Sequence, residues 1–310
     1  MSANFLATLN TPSIKRVLQE QLLKAIQGSN RETITNRDPS LELAAEAIPL
    51  YRLKDKDSIG IVYRCAIAFS LASVNNLSRV AIAIELVNVL TNSLSASDSE
   101  DDPLLDFTVK AVEPGWIDFY LSDRALAVWL QNLPLLLGDG GAGERGSRGE
   151  GEQGRGGDQK DLNVFPIQYA CARCCSLLRL GHRSGLIKLN NLDLNCSLWQ
   201  WLEPLPIPWF NSHLQQRHFQ LVHPAEKHLI AQLLNLADIP LDSQKVDWVK
   251  QGMLLSQAML DFDRSCRIWG EVSSQTPDLA KARLGLISVT QFVLQWLLKE
   301  QLGVIAPQEL

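Results

Sequence analysis

Positive charge is what this chain has least to spare. Its 310 residues hold 29 Lys and Arg against 34 Asp and Glu, a formal net charge of −5. That excludes the class of proteins that coat nucleic acid through bulk charge; a polyanion would need a local patch. Long apolar runs are missing as well. None reaches the roughly 18–20 residues that cross a bilayer, and the opening MSANFLATLNTPSIKRV lacks the apolar core of a secretory signal. No membrane partner is expected. Histidine is scarce, and the pair in HPAEKH, His223 and His228, stands five apart, on different helix faces and outside any H-E-x-x-H pattern. No nucleophile–base–acid constellation is visible, so neither a catalytic residue nor a cofactor is expected. The six cysteines, Cys65, Cys171, Cys174, Cys175, Cys196 and Cys266, show no secreted disulfide framework, which makes the cytoplasm the expected location.

What is present is enough apolar sequence for two cores. Hydrophobic residues make up 46% and charged residues 20%, the balance of a globular protein of two ordinary domains. Charge is unevenly spread. Residues 1–130 carry 12 basic against 16 acidic side chains, residues 131–162 carry 4 against 6, and residues 163–310 carry 13 against 12. The C-terminal half is the less hostile to a polyanion.

In the first half, Ile14, Val17, Leu18, Leu22, Leu23 and Ile26 form a helical stripe behind Ser13, a suitable N-cap. Residues 40–50 predict a short helix ended by Pro49, and residues 50–57 an edge strand. Ile59–Val74 is almost wholly apolar and predicts a buried helix; after Asn75-Asn76, Leu77–Leu94 predicts a second, with Ser78 near its cap. Residues 95–103 read as an acidic loop. Phe107–Ala111 and Trp116–Leu121 flank the turn Glu113-Pro114-Gly115 as a hairpin, and Ser122–Leu133 predicts a helix.

Gly138–Gly157 contains 10 glycines in 20 residues and reads as a flexible tether. Its formal G-x-G-x-x-G at Gly138, Gly140 and Gly143 lacks the strand before and the helix after that a dinucleotide site requires. Beyond it, Phe165–Leu180 (FPIQYACARCCSLLRL) places apolar or small residues at three- and four-residue spacing, an amphipathic helix. Tyr169 and Arg173 fall four apart on one of its faces, where a ring and a guanidinium can stack on a base and hold a phosphate. Packing at the edge of a half-buried helix explains the same pair. Cys171, Cys174 and Cys175 share a helix face, with Cys196 as a possible fourth ligand, but zinc sites draw their pairs from tight turns and packing is the expected role. Trp199, Trp201 and Trp209, interleaved with Pro204, Pro206 and Pro208, either plug one end of a helical core or form an exposed docking patch. Helices are expected at Pro224–Leu236, Gln244–Arg267 and Asp278–Leu302, with Gly303 just past the last.

Four segments of this half, in order, resemble the anticodon-binding part of arginyl-tRNA synthetases. QYACARCCSLLR is similar to that family's QYAHAR.CSILR, HPAEKHLIAQLLNL to HPAE..L...LL, MLDFDRSCRIWG to F..FY..C.VL, and the ending from LAKARLGL to IAPQEL to...RL.L......L..GL..LGI.AP..M. More loosely, KAVEPGWIDFYLSDRAL resembles VAGPGFINF.LS...L, which closes the family's N-terminal domain. The helical stretch before it, YRCAIAFSLASVNNLSRVAIAIELVNVL, echoes Y..A..LA..L..NPREIAE.I...L. The resemblance implies a mostly α chain in three parts. These are an N-terminal α+β domain with a small antiparallel sheet (1–134), which in the family contacts the outer corner of tRNA, a glycine-rich linker (135–162), and a DALR-type helical bundle (163–310).

The family inserts its catalytic domain, with HIGH- and KMSK-type sequences, where this chain has about 30 mostly glycine-rich residues, and neither motif is found. The resemblance therefore implies a non-enzyme that binds tRNA, of which an arginine tRNA is one candidate, or that assists an aminoacyl-tRNA synthetase in trans. A protein-interaction module that reuses the bundle without RNA is the alternative. Gln168, Tyr169 and Arg173 match the family's RNA-facing motif, Gln168 as a structural neighbour. Arg264, Arg267, Lys281 and Arg283 are candidates for phosphate contacts, against a role as solvated helix surface. Departures are Cys171 for the family's His, Asp263 for a stacking Tyr, and Leu310 for the terminal Met.

Overall fold

The computed structural model describes residues 13–29, 44–53, 60–75, 77–96, 106–138, 163–190, 200–211, 218–240 and 245–309. These residues are mostly helical, with one four-stranded antiparallel sheet and a second sheet of two strands. The chain divides into two compact units, Met1–Trp129 and Leu130–Leu310. The expected glycine tether lies outside the described residues apart from its first positions, as do the acidic loop beyond Ala96, Cys196, Trp199 and Leu310.

In the first unit, helix α1 (Ile14–Gly28) begins where the Ser13 hydroxyl accepts the Arg16 N–H at 3.1 Å. It buries Ile14, Val17, Leu18, Leu22 and Ile26, as the stripe requires, while Leu23 stays half-buried. A 3-10 turn, Ala45–Ala47, occupies the described part of the expected short helix. Strands β1 (Leu50–Arg52), β2 (Ile61–Cys65), β3 (Phe107–Val112) and β4 (Trp116–Leu121) form the sheet in the order β1-β2-β4-β3, all neighbours antiparallel.

β2 corrects the helix expected over Ile59–Val74. The apolar run is divided: residues 61–65 pair with β1 on one side and β4 on the other, and only Ile67–Asn75 is helical (α2). Val62 and Tyr63, which point to opposite faces of this strand, are both buried; a strand covered on both faces reads as near-continuous apolar sequence, which periodicity cannot separate from a buried helix. The pairing also sets Arg64 opposite Asp118, whose carboxylate is almost fully buried and accepts two hydrogen bonds of 2.7 Å from the guanidinium. Helix α3 (Arg79–Ala96) follows α2. The hairpin turn needs glycine at 115: its φ is +133°, and a Cβ there would stand 2.7 Å from that of Arg79. Helix α4 (Asp123–Gly138) starts on the Ser122 hydroxyl, which accepts the Ala125 N–H, and the division between the units falls within this helix.

The second unit is built on α5 (Phe165–Arg183), α6 (Pro224–Ala237), α7 (Trp248–Ser265) and α9 (Pro277–Trp296), with a short α8 (Glu271–Gln275) leading into α9. α5 packs against α7 and α9, and α6 against α7 and α9. Strands β5 (Lys188–Asn190) and β6 (Gln200–Glu203) form the small sheet. The Trp/Pro stretch that follows is largely a plug. Trp209 is 3% exposed and lies with Ile207 over Gly285 of α9, where a Cβ would meet Ile207 at 2.6 Å and Trp209 at 3.0 Å. Trp201 is half-buried, and its indole donates to the Pro204 carbonyl. Exposure passes instead to Leu202 and Leu205.

Candidate nucleic-acid interface

α5 presents its outward side at its first turns. Phe165 and Tyr169, four apart, are 58% and 45% exposed, their ring centroids 6.4 Å apart with planes 30° from parallel. Two exposed rings at this spacing form a platform on which a flat group can stack. Phe165 was not singled out in the sequence; the signal was available in its position one turn before Tyr169.

One turn further, Arg173 is not a bare cation. Its Nε donates to Asp263 Oδ2 at 2.8 Å and an Nη to Oδ1 at 3.4 Å, from α5 to α7. The hydrogen bond to Asp263 holds the guanidinium pKa above its ordinary value. Asp263 is therefore half of an ion pair and not a lone repulsive charge, while its neighbour Phe262 is fully buried. Gln168 is structural: its amide donates to the Ile305 carbonyl at 2.9 Å, which brings Ile305, 79% exposed, beside the first turns of α5. The same tail is held by Arg179, which donates to Glu309 at 2.7 Å and to the Gln308 carbonyl at 2.8 Å.

The four remaining candidates separate. Arg264 is exposed and pairs at 3.3 Å with Asp261, and Lys281 stands 3.7 Å from Asp278. Arg267 is exposed. Arg283 corrects the expectation of a phosphate contact. Its Nε donates to Glu226 at 2.7 Å and an Nη to the carbonyl of Arg267, and its side chain is almost wholly covered. The other oxygen of Glu226 accepts the backbone N–H of His223, while the His223 ring accepts the N–H of Ala225. The HPAE segment is thus a capping box at the start of α6 with a buried ion pair to α9 behind it. Cys266 stands 3.5 Å from the His223 ring; burial pushes its thiol up to about 11, which suits a packing residue and not a nucleophile.

Cys171, Cys174 and Cys175 are all buried in α5, and among the described residues no group of three or more His, Cys, Asp or Glu is arranged to hold a metal. Nor is any described helix long and apolar enough to cross a membrane. Comparison of the chain with protein-family models, with curated proteins and with solved structures finds no match in any of the three.

Proposed function

We propose that the second unit is a tRNA-binding helical domain of the kind that arginyl-tRNA synthetases direct at the anticodon, in a chain that does not itself activate arginine. The protein binds tRNA directly or works in trans beside a synthetase. One observation carries this reading: the first turns of α5 hold an exposed aromatic pair, Phe165 just before the QYACAR segment and Tyr169 within it, with the half-exposed Arg173 a turn beyond. Ring and guanidinium on one helix face are the two contacts a single-stranded loop needs, a surface for a base and a charge for its phosphate. The order of the four resembling segments adds to it. Two of the ion pairs, Arg173–Asp263 and Glu226–Arg283, each join residues from two of those segments.

A protein-docking role is the second reading, and the charge pairing favours it. Arg173, Arg264, Lys281 and Arg283 each face an acid of the same unit, and Leu202, Leu205 and Val222 are exposed. Binding of the purified protein to a tRNA pool across a salt series separates the two. The RNA reading expects affinity that falls with salt and drops about 5- to 150-fold in Tyr169→Ala, the loss of one stacked base. It also expects tighter binding and a salt slope larger by about one in Asp263→Asn, which releases Arg173. No binding at low salt, or identical binding in all three proteins, overturns it.

A further inference from the structure

Beyond α9 the chain turns back onto the helix that carries the proposed RNA face. It passes Gly303, whose φ of +64° suits a helix end, and the Val304 N–H donates to the Leu298 carbonyl at 2.8 Å. The following residues are tied to α5 at two points about three helical turns apart. The Gln168 amide donates to the Ile305 carbonyl at 2.9 Å. Arg179 donates to the Gln308 carbonyl at 2.8 Å and to Glu309 at 2.7 Å. Between the ties, Pro307 restricts the backbone. Residues 305–309 thus form a strap along one flank of α5.

What the strap holds out is apolar. Ile305 is 79% exposed, more than any other large apolar side chain among the described residues. One exposed isoleucine by itself signifies little. This one is anchored through Gln168, which adjoins Tyr169 in sequence and follows Phe165 by one turn on the same flank of α5. Ile305 therefore extends the surface that the two exposed rings begin. The strap also brings no free negative charge toward a phosphate: the one acidic side chain in residues 302–309 is Glu309, and Arg179 pairs with it. On the other side of the rings stands the Arg173–Asp263 pair. The rings are bordered by an apolar side chain on one flank and a guanidinium on the other.

We propose that Ile305 is a further base-contacting residue of the RNA site, and that Gln168 is the positioning residue that holds it beside the rings. The inference rests on the RNA reading of α5. An unpaired nucleotide lays its base on a ring, its phosphate meets Arg173, and Ile305 covers apolar surface of the base that would otherwise face water. Because the strap is anchored before RNA arrives, little ordering of Ile305 is needed on binding.

The test measures binding of the full chain to unfractionated tRNA across a salt series, with Tyr169→Ala, Ile305→Ala and Ile305→Phe alongside. Each methylene that a base covers is worth about fourfold in affinity, so Ile305→Ala should weaken binding by about 4- to 60-fold. An apolar contact releases no counterions, and the salt slope should stay at the wild-type value. Ile305→Phe restores apolar area and should recover the affinity. The unchanged thermal midpoint expected of so exposed a residue separates this loss from unfolding. Gln168→Ala should also weaken binding, yet add nothing in the Ile305→Ala background, because it acts only by placing Ile305. A helix merely loosened would lose affinity in both backgrounds. Wild-type affinity in Ile305→Ala, with Tyr169→Ala impaired, overturns the role of Ile305 and leaves the RNA reading standing. Additive losses from Gln168→Ala and Ile305→Ala overturn the positioning role. A wild-type protein that binds no tRNA overturns the RNA reading and this inference together.

Discussion

Glu226 is the side chain on which the second unit should depend most heavily. It is fully buried, and its two oxygens hold two different elements: one accepts the His223 N–H that opens α6, the other the Nε of Arg283 on α9. Replacing it with Leu removes half of the capping box and leaves the Arg283 guanidinium, only 11% exposed, without its counter-charge. Breaking one partner out of such a buried pair costs about 3–5 kcal/mol. For a unit of this size each kcal/mol moves the midpoint by about 2–4 °C, so the second unit should melt roughly 6–20 °C lower. Arg283→Met should cost a similar amount, because it strands the carboxylate. The double variant Glu226→Leu, Arg283→Met should be more stable than either single one, since no charge is left buried alone. Thermal and urea unfolding of the four proteins measures this coupling. If each single change costs under about 1 kcal/mol, or the double variant loses the sum of both, the buried pair does not hold the unit together and the reasoning fails.

Gly285→Ala should destabilise the second unit by about 1–3 kcal/mol, because the new methyl meets Ile207 at 2.6 Å and Trp209 at 3.0 Å. Trp209 should become more solvent-exposed, which a red-shifted fluorescence spectrum would report; an unchanged spectrum and midpoint would show that the segment does not press on α9. In the first unit, burial pushes the Cys65 thiol from 9.0 up to about 12. Below pH 9 both folded and unfolded chains keep the proton, and pH has no effect through this group. Between pH 9 and about 12 the unfolded chain ionises while the fold stays neutral, so stability falls as pH rises. The difference in stability between the wild-type protein and Cys65→Ala should therefore change across that window, and a constant difference would contradict the assignment.

Much of the local structure was legible because it is written in neighbouring residues. Ser13 before an apolar stripe starts α1, Pro114-Gly115 between two β-rich runs makes the hairpin, and Ser122 caps α4. The Cys171, Cys174 and Cys175 group was correctly placed on one helix by spacing alone. β2 was not legible, since its neighbours β1 and β4 supply the hydrogen bonds that make residues 61–65 a strand, and β4 lies some fifty residues away. The candidate site divides in the same way. Tyr169 and Arg173 share a face by helical spacing. That Arg173 meets Asp263, or that Arg283 turns inward to Glu226, depends on distances between residues 90 and 57 positions apart.

The sequence by itself determined where capped helices such as α1 and α4 begin, which face α1 buries, and which aromatic and basic residues stand side by side along α5. Those properties follow from periodicity, capping and spacing within a few residues. Only the tertiary structure decided which cations keep their charge for a partner. Burial and the arrival of a carboxylate from another helix turned Arg283 into part of the core and tied Arg173 to Asp263, while Phe165 and Tyr169 stayed open to solvent. A charge is spent or free according to what packs against it, and packing partners distant along the chain are chosen by the fold.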